Sequence, residues 1–147
     1  MAGMGRRLRV ECLKYISNQT PAASPAAWNI GFSTANPGDD GQSVAEPTIG
    51  TGGYARQAVA WAAVATPANG APAVLQNSGS VSFGPSSAAW STGATPLTHV
   101  AYWTGTTGTS EATFLASGAV SVPPSVAASQ TTLTSSAGSL QVTITPT

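Results

Sequence analysis

Charge is what this sequence has least of. Of 147 residues, 7% are Asp, Glu, Lys or Arg, against roughly 25% in an ordinary soluble domain. Beyond Glu111 there is no charged side chain at all. Five basic and five acidic residues cancel to a formal net charge of zero, so the concentrated basic surface of a nucleic-acid binder is missing. The chain is not membrane-like either. No stretch approaches the roughly 18 consecutive apolar residues of a spanning helix, and neither nucleic acid nor membrane is expected as a partner. The single cysteine, Cys12, allows no intrachain disulfide. Together with the single histidine, His99, it gives zinc two ligands in all. The opening stretch "MAGMGRRLRVECLKYISNQ" is basic, but Glu11 and Lys14 interrupt any apolar core, so it does not read as a secretory signal.

Catalysis is not expected, on similar grounds. There is no G-x-S-x-G motif, and nothing in the sequence places a carboxylate behind His99. His99 lies within a strand pattern beside aromatic residues and reads as a hydrogen-bonded packing residue. Asp39 and Asp40 in "NPGDDG", with Glu46 nearby, are hard oxygen ligands of the kind calcium takes. The EF-hand spacing is absent, however, and this is ordinary turn chemistry. No catalytic residue, metal or cofactor is expected.

Ser, Thr, Gly and Ala take the place of charge. Such a surface hydrates through hydroxyls and backbone and provides little repulsion between copies, which favours self-association. The length suits one domain with a real core. Residues 6–17 read as a short helix. Arg7, Glu11 and Lys14 share one face, and Leu8, Cys12, Tyr15 and Ile16 another. "TPAASPAA" then reads as an extended connector.

From Trp28 the pattern changes to period two. "WNIGFS" is a first strand, followed by the turn-rich "ANPGDDG". In "GGYARQAVAWAAV", Val59 and Trp61 should point one way, with Arg56, Ala58, Ala60 and Ala62 on the other face. "GSVSFG" should turn Val81 and Phe83 inward. "LTHVAYWTG" carries large groups on both faces and reads as a central strand. "EATFLASGAVSV" follows, with a bulge or bend expected at Gly118. "TTLTSS" and "SLQVTITP" close the chain, with Leu140, Val142 and Ile144 on one face. Seven or eight short strands separated by turns predict an all-β fold, a single β-sandwich of immunoglobulin-like or jelly-roll-like type. The expected organisation is an N-terminal helix and extended arm over residues 1–27 and the sandwich over residues 28–147.

Arg56 beside an apolar strand needs a carboxylate or several carbonyls, because an unpaired buried charge is very costly. Asp39, Asp40, Glu46 and Glu111 are the candidates in this region. Two readings stand: an internal ion pair with the preceding loop, and an intersubunit contact. Of the four tryptophans, Trp28, Trp61 and Trp103 lie in strand patterns and read as core. Trp90, in "SSAAWSTG", is expected to be exposed, and an exposed aromatic would suit a carbohydrate-binding module.

Taken in order, "WNIGFSTANPGDDG", "EPTIGTGGYARQAVAW", "NSGSVSFGPSSAAWSTGATPLTHVAYW" and "SLQVTIT" resemble a family of small phage virion proteins of the tail-fibre and head-decoration type. The likeness covers roughly residues 28–145 and implies a structural role without catalytic residues. On this resemblance the expected function is a capsid decoration protein on the head surface. Its partners would be the major capsid protein and further copies of itself, as in trimeric decoration proteins. A tail-fibre or minor tail protein contacting the host is the alternative. The interface residues expected are Tyr54, Arg56 and Trp90, with Arg6, Arg7 and Arg9 as a docking patch against an acidic shell.

Overall fold

A computed structural model describes residues 2–21, 27–65, 67–69, 71–91, 95–127 and 131–144. Among these described residues nine strands and one α-helix follow in the order β1 (Ala2–Met4), α1 (Arg6–Ile16), β2 (Trp28–Ser33), β3 (Gln57–Val59), β4 (Ala73–Gln76), β5 (Val81–Phe83), β6 (His99–Trp103), β7 (Phe114–Ala119), β8 (Leu133–Ser135) and β9 (Gln141–Ile144). The fold is all-β, with a main antiparallel sheet in the order β1-β7-β6-β2-β3 and two antiparallel pairs, β4-β9 and β5-β8.

Alternation along the strands sets the two faces of the main sheet. Trp28, Ile30 and Phe32 of β2 and Val100 and Tyr102 of β6 join Val81, Phe83, Leu133 and Leu140 in one core, between the main sheet and the smaller pairs. Apolar burial between two sheet layers is the driving force of a sandwich. On the opposite face Ala101, Trp103 and Phe114 form a second cluster, covered by Val44 from the loop after β2. Large side chains of β6 are therefore buried on both faces, as a central strand requires.

Three expectations need correction. The strand predicted through residues 53–64 is split. Gln57–Val59 pairs with β2, after which Ala62 N–H donates to Gln76 O, Ser78 N–H donates to Ala60 O, and Trp61 bridges Asn77. The chain leaves the main sheet at Ala60 and continues beside the end of β4, so one apolar run serves two sheets. The split also breaks the predicted face. Tyr54 and Arg56 are buried while Ala58 is exposed, because residues 54–56 precede the regular strand. The irregularity in β7 lies at Leu115 and not at Gly118. Tyr102 pairs with Ala116 and Trp103 with Phe114, leaving Leu115 as the extra residue, whereas Gly118 pairs in register with Val100 and Ala2. Of the connector expected over residues 20–27, residues 22–26 lie outside the described ones, as does Thr145 at the end of the last strand.

Candidate functional site

Two places collect the residues singled out by sequence. The first is a buried polar cluster on the outer face of the main sheet. Arg56 Nε donates to Glu46 Oε1 at 2.9 Å, and Nη2 donates to Glu46 Oε2 at 2.6 Å. The same guanidinium donates to Gly105 O at 3.2 Å and Gly108 O at 2.8 Å. Its Cζ lies 4.2 Å from the centroid of the Trp103 ring. The Arg56 and Glu46 side chains are 0% and 7% exposed. Arg56 thus takes the internal reading, with Glu46 of the preceding loop as its partner.

Tyr54 completes the cluster. Its hydroxyl donates to Glu46 Oε1 at 2.9 Å and accepts from Phe32 N–H at 2.8 Å. Burial, reinforced by the Glu46 carboxylate, pushes the Tyr54 phenol well above its ordinary value. Gly31 makes the arrangement fit. A Cβ there would fall on Glu46 Oε1 and lie 2.8 Å from the Tyr54 hydroxyl and 3.2 Å from Arg56 Cγ. The bare backbone at Gly31 is the floor of the cluster, and sequence patterning had no means of assigning it that role.

Trp90 also lies inside. It is 7% exposed, its indole N–H donates to Gly52 O at 2.8 Å, and its ring meets Tyr54 edge-on at 5.4 Å. The expectation that Trp90 is exposed is therefore corrected. Its N–H found a backbone acceptor in the turn at Thr51–Gly53, a contact 38 residues distant. The sugar-stacking idea loses the aromatic it relied on.

The second place is α1. Arg6 pairs with Glu111 at 3.3 Å and Arg9 with Asp39 at 2.6 Å, while Arg7 donates to the Ala112 carbonyl. The expected docking patch is thus engaged with acceptors of its own chain. Both ion pairs are exposed and worth about 0–1 kcal/mol each. Val10, Leu13, Tyr15 and Ile16 are all exposed; sequence patterning places Tyr15 and Ile16 on an apolar helix face, and Val10 and Leu13 are the two it passes over. Spacing at i, i+3 and i+6 from Val10 was the available signal.

The remaining polar candidates are dispersed. Asp39 binds Arg9, Asp40 accepts from Gln42 N–H at 3.0 Å, and Glu46 is held by Arg56. Among the described residues no group of His, Cys, Asp and Glu is assembled to hold a metal ion. His99 does share a shallow cleft of about 340 Å³ with Asp39 and Ser117. Its Nδ1, however, is 2.9 Å from Thr98 Oγ1, and the Asp39 carboxylate is taken by Arg9. No proton relay connects the three.

The geometry is that of a rigid, internally stapled module with an apolar helix surface. Across residues 3–143 the sequence matches the family described as podophage GP4 fiber I protein gp80. The chain belongs to this fibre family. It is a structural component of a bacteriophage virion. No curated protein matches it. In this fibre chain the buried cluster reads as a structural staple, since Arg56 ties the loop that follows Trp103 to Glu46 of the loop after β2.

Proposed function

We propose that the chain is a fibre subunit on the tail side of the virion. The match to a fibre family over residues 3–143 carries this reading and favours the tail over the head-decoration role expected from sequence. The structure bears on how such a subunit would act. The aromatics available for a ligand platform are largely committed to packing: Trp90, Trp103, Tyr54 and Tyr102 are all buried. A subunit of this kind acts by shape and stiffness, transmitting load between its neighbours. Its partners would be further copies and a tail protein that anchors them, in place of the major capsid protein.

Immunogold labelling of purified particles, combined with copy number from quantitative mass spectrometry, tests the proposal. Gold at the tail, with tens of copies or fewer per particle, is the expected result. Gold spread over the head with hundreds of copies would return the chain to capsid decoration and overturn the tail assignment.

A further inference from the structure

The N-terminal segment, β1 with α1, lies against the sandwich without entering its core. No residue from Met4 to Ile16 belongs to either apolar cluster, and none of the 11 helix residues is buried. A helix in a folded domain is normally held by burying its apolar side. Here Leu8 and Cys12 face Trp28, Leu75 and Val142 across a groove of about 220 Å³, and atoms lining such a gap lose their dispersion partners. What holds the segment is polar. Gly5 N–H donates to Leu115 O and Arg6 N–H to Asp39 O, both at 2.7 Å. Arg7 donates to the Ala112 carbonyl, and Arg6–Glu111 and Arg9–Asp39 are ion pairs open to water. Strand β1 adds three paired residues at the edge of the main sheet.

We propose that β1 and α1 form a strap that opens as one unit while the sandwich stays folded, and that the closed strap guards the edge of β7. Stability within a folded chain is uneven, and segments with few buried apolar contacts open first. Opening removes no member of either apolar cluster, and the strands β7-β6-β2-β3 stay paired in order. Hydrogen-bond parity along β7 shows what is uncovered. Val120 N–H donates to Thr98 O on the β6 side, and Gly5 N–H donates to Leu115 O on the β1 side. In an antiparallel ladder successive residues turn their N–H and C=O groups to opposite neighbours. Ala116 and Gly118, opposite Tyr102 and Val100, therefore bond to β6, whereas Ser117, opposite Gly3, bonds to β1. Opening leaves the Ser117 N–H and the Leu115 and Ser117 carbonyls unpaired, which turns a covered strand into a free sheet edge.

Residue-resolved amide hydrogen exchange on the full-length chain tests the strap. Corrected for intrinsic rates, the Ser117 amide should exchange at least about 10-fold faster than Ala116 and Gly118, its neighbours on the same strand. It should also share one opening free energy with the helix amides from Val10 to Leu13. A core variant separates this opening from global unfolding. Ile30 is 1% exposed within the sandwich, and Ile30→Val should speed exchange at Ala116 and Gly118 by about two- to tenfold. Ser117 and the helix should keep their rates, because the chain with its strap open still buries residue 30. Unchanged circular dichroism shows that the variant is folded. A Ser117 amide as slow as Ala116 and Gly118, or one accelerated with them by Ile30→Val, makes the segment part of the body and overturns the proposal. Fast helix amides beside a slow Ser117 overturn it as well, because the helix then frays alone with β1 in place.

Discussion

The Arg56 guanidinium holds both oxygens of Glu46, at 2.9 Å and 2.6 Å, with both side chains almost wholly removed from water. Each charge is tolerable there only because of the other. Removing one partner of such a pair destabilises by about 3–5 kcal/mol, whereas replacing both with apolar groups of similar volume is often near neutral. Arg56→Met and Glu46→Leu should therefore each lower the denaturant midpoint sharply, and the double variant should lie well above the sum of the two losses. Additive losses in that cycle would show that the pair is not coupled as described.

Gly31 gives a second prediction, a steric one. Its backbone φ is unexceptional, so Gly31→Ala brings no conformational penalty of its own. The added methyl must instead push aside the Glu46 carboxylate and the Tyr54 hydroxyl, both already fixed by hydrogen bonds. Overpacking of this sort costs about 1–3 kcal/mol. In an Arg56→Met/Glu46→Leu background, where those hydrogen bonds are gone, the loss from Gly31→Ala should shrink. Equal losses in both backgrounds would assign the glycine some other role.

These two cases show where sequence reading reached and where it stopped. Strand β2 was legible over Trp28–Ser33 because its apolar side chains alternate, and Val81 and Phe83 turn inward for the same reason. The two buried faces of β6 followed from large groups at successive positions. Strand β1 was not legible, since "AGM" carries no strand signal and its pairing depends on β7 more than a hundred residues later. Strand β4 was missed too, its short apolar "AVLQ" lacking the period-two contrast. Arg56 was recognisably in need of a carboxylate. Choosing Glu46 among four depended on the space above Gly31, which exists only after β2 and the loop have folded together.

Alkaline pH should loosen the fold through its buried tyrosines. Burial pushes the Tyr102 phenol up to about 12 from an ordinary 10.0, and Tyr54 is shifted in the same direction. Below pH 10 both groups are protonated in folded and unfolded chains, and their stabilising contribution is complete. Above it the unfolded chain releases protons that the folded chain retains, so stability falls as pH rises. For Tyr102 this window runs from 10 to about 12. Each pH unit in the window removes about 1.4 kcal/mol per fully shifted tyrosine. Denaturant melts between pH 9 and 11 should show a shallower decline for Tyr102→Phe than for the wild type. Parallel declines would exclude Tyr102 as a source of the alkaline loss.

Trp90 separates a packing role from a ligand role in one residue. Its ring fills core beside Tyr54, and its N–H satisfies the Gly52 carbonyl at the tight turn leading to Tyr54 and Arg56. Trp90→Ala should destabilise by about 3–5 kcal/mol through the cavity it opens. Trp90→Phe keeps most of the volume and gives up mainly the hydrogen bond, so its loss should be nearer 1 kcal/mol. Because the ring is 7% exposed, neither change should alter glycan binding by folded protein. A glycan array on which the wild type binds and well-folded Trp90→Phe does not would contradict this, and would mean that the Thr51–Gly53 turn opens far enough to expose the ring.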